Sequence, residues 1–212
     1  MALMLTGALQ LSCTAKSADY TELPAPAKTT GQPLMQVLNE RHTERNFLEN
    51  KEISSQITSN LLWAACGVNR EDGRRTIPTA VNRQDLEVYA ARADGLWRYD
   101  AVNNKLVLVK SGDARRGRFK TAPLIFYYVG KDDNFGYMHA GSAYQNAGLY
   151  CASAGLANVV VGGPDTIEGA NGLTDFGEKK VLVAQAFGWP KSDVKFTPDK
   201  LGPLRGRPAS GK

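Results

Sequence analysis

Hydrophobic and polar positions along the chain switch repeatedly between helical and strand-like spacing. After Pro33, Leu34, Val37, Leu38 and Arg41 recur at intervals of three and four, which predicts a short helix with proline near its start. Ser54 or Ser55 can cap a second helix, with Ile57, Leu61, Leu62 and Ala65 on one face and Gly67 at its end. Strand-like runs follow at Leu86 to Arg92, Gly95 to Asp100 and Lys105 to Lys110, separated by the turn signals Ala93-Asp94-Gly95 and Asn103-Asn104. Pro123 to Gly130 is continuously apolar and aromatic, as expected of a strand buried on both faces. His139 to Leu156 reads as a long helix dense in Gly, Ala and Ser. Glycine inside a helix costs about 1 kcal/mol relative to alanine, so Gly141 and Gly148 are read as points of close packing. Asn158 to Gly163 and Lys180 to Gly188 supply two more buried strands. The pattern contains no internal repeat and predicts an α+β fold with one mixed central sheet flanked by helices.

Composition narrows the chemistry. The 212 residues suit one domain of sizeable core, and 42% hydrophobic with 22% charged residues is ordinary for a globular chain. Cys13, Cys66 and Cys151 form no C-x-x-C pair, and His42 and His139 are the only histidines. That leaves little from which to build a zinc site or a Ser-His-Asp triad. Cys66 and Cys151 sit in apolar helices and read as buried fillers, and His139 reads as a helix-start residue rather than an acid or base. The formal net charge is +5, but between Arg70 and Lys120 twelve basic residues are interleaved with seven acidic ones. Interleaving describes a solvated surface and argues against nucleic-acid binding.

The first residues read differently. Met1 to Ser12 is almost wholly apolar and too short to span a bilayer, and a polar run follows Cys13. Residues 1–18 therefore resemble an export signal or a lipoprotein leader with attachment at Cys13, although a basic n-region is missing and Gln10 stands where an aliphatic residue is usual. A frayed apolar N-terminus, and with it a cytoplasmic protein, is the alternative. Any membrane association is expected only through such an anchor. Residues 19–33, rich in Pro, Ala and Thr, are expected to act as a tether, so that the folded domain covers residues 34–212.

Three segments carry candidate chemistry. In Arg41-His42-Thr43-Glu44-Arg45-Asn46-Phe47, two guanidinium groups flank a hydroxyl just beyond a short helix, a donor set suited to a phosphate. The same basic residues could instead complement the helix dipole. Gly73 to Asn82, GRRTIPTAVN, is a basic loop before a strand, where ligands are commonly held, or a plain surface loop. A buried strand then stops at Gly162-Gly163-Pro164, where backbone could closely approach a planar ligand, or simply turn.

In this order the segments resemble one family. R-x-[ST]-x-R-x-F at Arg41, P-[ST]-A-x-N at Pro78, H-A-G-x-x-x-Q-N-x-x-L at His139 and the Gly162-Gly163 strand end are similar to the FMN-dependent nitroreductases. Leu62 to Arg70 and Arg75 to Tyr89 resemble the bacterial branch near the thiazoline-forming peptide dehydrogenases. The resemblance covers about Gln32 to Gly188. It implies a homodimer with FMN at the subunit interface. Arg41, His42, Thr43 and Arg45 match the motif around the phosphate and ribityl chain. Pro78, Thr79, Ala80 and Asn82 match the segment that reaches the flavin from the other subunit. Gly162 and Gly163 match the backbone presented to the ring, and Arg205 or Arg207 could close on the phosphate. Thr79 stands where serine is commoner and keeps the hydroxyl, while Gly163 to Lys180 is short and polar where relatives usually have an apolar helix. The activity implied is two-electron transfer through flavin to or from a small organic molecule such as a nitroaromatic or quinone. NAD(P)H is the usual donor in this family, yet it is scarce outside the cytoplasm, so export and NAD(P)H dependence pull apart. A flavin-binding or flavin-storing protein without catalysis is the alternative.

Overall fold

In the computed structural model, residues 20–49 and 51–191 are described. Their strands are β1 (Tyr20–Glu22), β2 (Glu87–Ala91), β3 (Gly95–Asp100), β4 (Lys105–Ser111), β5 (Leu124–Gly130), β6 (Ala157–Val161) and β7 (Lys180–Gly188). The helices are α1 (Leu34–Glu40), α2 (Ser55–Cys66), α3 (Asn134–Ala154) and α4 (Pro164–Asn171). One seven-stranded sheet runs in the order β1-β4-β3-β2-β5-β7-β6. The α+β class is as expected, but the sheet is not mixed, because every pairing among the described strands is antiparallel. The α3 crossover does make β5 and β6 point the same way. The strand β7 then lies between them, antiparallel to both, so no parallel pair forms.

Each face of the sheet has its own core. Helices α2 and α3 cover one face through Leu61, Leu62, Ala140, Ala143, Ala147 and Cys151, packed on Phe126, Tyr128 and Phe187. Phe47, Ala114, Ala122, Ala170 and Leu173 cover the other, over Tyr127, Ile125 and Val159. Strand β5 lies between the two and is buried at all seven positions, as its unbroken apolar run predicts. The buried Gln185 ties this centre to the sheet edge. Its Oε1 accepts from Tyr128 Oη at 2.6 Å, and its Nε2 donates to Asn158 Oδ1 at 2.9 Å and to the Tyr144 carbonyl at 3.2 Å. With no partner missing, this polar cluster fixes β6 against β7 and α3.

Several local signals hold, and others are corrected. Ser54 is the cap of α2, accepting from Ile57 N–H, and Gly67 ends that helix. Helix α3 begins at Asn134, five residues before the expected His139, because the Asp133 carboxylate caps it by accepting from Gly136 N–H at 2.7 Å. Gly155, left-handed at φ 67°, closes it. Close packing on α3 is not at Gly141 or Gly148, where a methyl group would make only ordinary contacts. It is at Gly136, where a methyl group would meet the Lys131 carbonyl.

The expected tether is also corrected. Tyr20–Glu22 pairs with β4, Leu23 is buried, and the following residues are laced to α2 and α3. Ser59 Oγ donates to the Pro24 carbonyl, Ala27 N–H donates to Asn60 Oδ1 at 2.8 Å, and Gln32 N–H donates to Ser153 Oγ at 2.9 Å. Prolines leave carbonyls without competing N–H donors, and polar side chains of α2 take them up. The segment Gly163 to Lys180 contains the eight-residue helix α4, which seats Thr166 and Ala170 on the sheet. No helix of the described residues is long and apolar enough to cross a membrane, and none of their His, Cys, Asp and Glu side chains cluster as a metal site.

Candidate functional site

The 41–48 segment is held tightly through its backbone. Arg41 caps the end of α1, its N–H donating to the Val37 carbonyl. Glu44 N–H donates to the Asn158 carbonyl at the start of β6, at 3.0 Å. The Glu44 carboxylate accepts from the N–H groups of Arg45 and Asn46, both at 2.7 Å, which folds the chain back on itself. Phe47 is buried, bridges to Pro190 and meets the Phe119 ring edge-on at 5.9 Å. Leu48 N–H donates to Trp189 and Lys191 N–H donates to Asn46. His42 Nδ1 lies 2.8 Å from the Glu40 carbonyl. The side chains of Arg41, Thr43 and Arg45, by contrast, make no hydrogen bond or ion pair among the described residues; Arg41 is half-buried and the other two are exposed.

The 75–85 loop is held in the opposite way, through side chains. Arg75 donates to the Leu86 carbonyl at 3.0 Å and rests on the Cys66 thiol, and Thr76 Oγ donates to the Trp63 carbonyl. Burial pushes the Cys66 thiol up, with Arg75 opposing, so Cys66 is a protonated packing partner. His139 lies within the second turn of α3 and is buried. Its Nε2 accepts from Ala80 N–H at 2.9 Å, which leaves the ring proton on Nδ1, 3.1 Å from Asp85 Oδ1. Asp85 in turn pairs with Arg83 at 2.8 Å, and Arg83 reaches Asp133, the α3 cap, at 3.2 Å. The Gly136 N–H above all holds the Asp133 carboxyl below its ordinary value; desolvation opposes it, and the hydrogen bond and charge of Arg83 add to the lowering. Thr79 Oγ accepts from Gln84 N–H. Between these ties the backbone is left-handed at Val81 (φ 45°), Asn82 (φ 56°) and Gln84 (φ 47°). For a β-branched residue such as Val81, which is 94% exposed, that conformation is strained. The network of His139, Asp85, Arg83 and Asp133 has no sequence motif of its own. A histidine one turn inside a helix, with a carboxylate just after the loop, was the only available hint.

Gly162 and Gly163 join β6 to α4, with Gly163 as its N-terminal cap. Around Gly162 a methyl group would meet nothing within 4 Å, so the strand end is open to a ligand. Gly162 thus directly follows the short strand that carries Asn158, the partner of Glu44. The 78–82 segment is fastened at His139 near the start of α3, and the Thr76 carbonyl just before it accepts from Asn146 Nδ2 at 3.4 Å, whereas Asn158 lies against Gly148 further along the same helix. Arg205, Arg207 and Cys13 lie outside the described residues.

Comparison with known proteins identifies the family. The model of the nitroreductase family matches residues 38–194, about three quarters of the chain. The chain belongs to the nitroreductase family. A structure classed as a nitroreductase, from Ralstonia eutropha JMP134, is 32% identical, and the match covers 89% of this chain and 97% of that one with a TM-score of 0.73. Two others share the nitroreductase fold at lower identity. One, from Desulfovibrio desulfuricans, was solved in complex with FMN (19% identity, 84% of this chain, 100% of that one, TM-score 0.54). The other is a chain of the E. coli microcin synthetase McbBCD with truncated pro-MccB17 bound (20% identity, 87% of this chain, 84% of that one, TM-score 0.57). No curated protein matches the sequence. Membership makes this nitroreductase a flavin-type oxidoreductase in the general sense.

Proposed function

We propose that this nitroreductase is an FMN-dependent enzyme working as a homodimer, passing two electrons through flavin to or from a small organic molecule such as a nitroaromatic or quinone. The observation that carries the reading is the contrast at 41–45: a backbone laced to β6 and to residues 189–191, bearing two guanidinium groups and a hydroxyl with no partner of their own among the described residues. Free donors on a fixed frame are what a phosphate requires. Bound FMN supplies the hydride chemistry itself, and the protein supplies position and polarity. Arg41, His42, Thr43 and Arg45 would hold the phosphate and ribityl chain, and Gly162 and Gly163 would leave room for the ring. Pro78, Thr79, Ala80 and Asn82 would reach the same flavin from the partner copy, and Arg205 or Arg207 would close on the phosphate. His139 sustains the shape of the loop and, with its Nε2 occupied by Ala80, takes no part in moving protons.

The experiment is gel filtration of the full-length protein after incubation with FMN. Visible flavin absorbance eluting with a dimer supports the proposal, and a colourless protein overturns it. Anaerobic bleaching by NADPH or NADH identifies the donor. Turnover of a nitroaromatic or quinone separates an enzyme from a flavin-binding protein without catalysis. We extend the proposal to location, with residues 1–18 directing export and Cys13 accepting a lipid; fractionation with mass analysis of the N-terminus tests it.

A further inference from the structure

Beside the 78–82 segment lies a groove of about 400 Å³, lined among others by Arg70, Arg74, Arg75, Pro78, Thr79 and Asn82. No carboxylate is among its lining residues. Arg75 is half-buried and donates only to neutral acceptors, the Leu86 carbonyl and the Cys66 thiol, and its Nε is buried without a partner. Arg70 likewise donates to neutral oxygens, Asn69 Oδ1 at 3.1 Å and the Arg75 carbonyl at 2.9 Å. Only Arg74 has an acidic partner, Asp72 at 3.4 Å, and both side chains are more than half exposed, a pairing of little strength. Positive charge is therefore gathered on one wall with almost nothing to balance it. The partly desolvated Arg75 guanidinium, with the exposed Arg70 and Arg74 beside it, gains from an anion, and the guanidinium fork suits carboxylate and phosphate alike.

We propose that this groove seats the carboxylate or phosphate of the molecule that exchanges electrons with the flavin, so that the enzyme selects acidic partners. The inference rests on the flavin reading above and adds a substrate class to it. The groove shares Pro78, Thr79 and Asn82 with the segment assigned to the flavin, so an anion held by Arg70 and Arg75 lies alongside the reacting molecule rather than at a remote site.

Two matched pairs test it on the full-length, FMN-loaded protein: para-nitrobenzoate against para-nitrobenzyl alcohol, and NADPH against NADH. The first pair reports a carboxylate on the organic substrate, and the second an extra phosphate on the donor. In at least one pair the ratio of kcat/KM is expected to favour the more acidic member by about tenfold, the size of one charge-assisted contact. In the double variant Arg70→Gln/Arg74→Gln, whose side chains are exposed, that ratio should fall toward unity with flavin content equal to wild type. Arg75→Lys, which keeps the charge but not the fork, should fall between. Ratios near unity in both pairs, or a preference that the double variant leaves intact, overturn the proposal. Loss of flavin from the double variant also overturns it, since the groove would then hold the FMN phosphate. Equilibrium dialysis of para-nitrobenzoate against the flavin-free protein separates the two claims. Binding that depends on Arg70 and Arg74 in a chain that never takes up FMN would support the groove and sink the flavin reading.

Discussion

The segment 41–48 and the loop 75–85 are both assigned to the same cofactor, yet they are built on opposite plans. In the first, backbone hydrogen bonds to Asn158, Trp189 and Lys191 fix the chain and leave the side chains of Arg41, Thr43 and Arg45 without partners among the described residues. In the second, the side chains of Thr76, Arg83, Asp85 and His139 are consumed in holding a strained backbone, and Arg75 at its start keeps a buried Nε without a partner. The difference teaches which groups each region can offer a ligand. The first offers charged donors, and the second, past Arg75, offers main chain and shape. Damage to the first should therefore cost binding without stability, and damage to the second should cost stability first.

The largest expected effect follows from that division. Arg41→Ala/Arg45→Ala should weaken FMN binding by about 3–6 kcal/mol, from two charge-assisted contacts of roughly 1.5–3 kcal/mol each. The melting temperature of the flavin-free protein should stay at the wild-type value. Titration calorimetry and thermal melts check the two halves, and unchanged affinity would remove the phosphate assignment. Next, His139→Phe should destabilise the flavin-free fold by about 2–4 kcal/mol, because it strands Ala80 N–H and weakens the support of Asp85 in a buried place. Chemical denaturation measures this, and a loss confined to FMN binding would erase the contrast between the regions. Thr79→Val should cost about 1 kcal/mol through the lost acceptor for Gln84 N–H, with Thr79→Ser restoring it in the same assay.

The smallest effect is on pH dependence. Asp133 is held low in the folded state, first by Gly136 N–H and then by Arg83. Its contribution is therefore complete above the ordinary aspartate value and is lost as pH falls through the lower, folded value. Asp133→Asn retains a cap but not the charge, so its stability should decline less steeply than that of wild type on the acid side. Melts across the carboxylate range would show the two curves converging, and parallel curves would remove Asp133 from the network.

Much of this plan was legible in the sequence, but unevenly. Every sheet strand from Leu86 onward is marked by an apolar run and a turn, and Ser54 and Gly67 announce the ends of α2, because these are local effects of backbone and burial. What was not legible is long-range pairing. The Pro/Ala/Thr-rich stretch around Leu23 reads as loose because its partners, Asn60, Asn104 and Ser153, are far away in the sequence. The mixed sheet was expected from helix and strand alternation, which does not reveal that β7 returns between β5 and β6. At the site, Arg41, Thr43 and Arg45 stood out as a spaced motif. Arg83, Asp85 and Asp133 did not, since an ion-pair chain has no period.

The docking of Tyr20–Pro24 onto β4 and its turn has a consequence for how the protein reaches its native state. Asn104 Nδ2 reaches the carbonyls of Leu23 and Pro24 across about eighty residues of chain, and contacts of such separation form slowly because loop closure must precede any gain. The hairpin of β3 and β4 is local and is expected to form first. For an interval during refolding β4 is then an uncovered edge, with Leu106 and Leu108 in a strand able to pair with another molecule. The N-terminal arm thus acts as an internal guard against aggregation, and refolding yield at high protein concentration should depend on it more than equilibrium stability does.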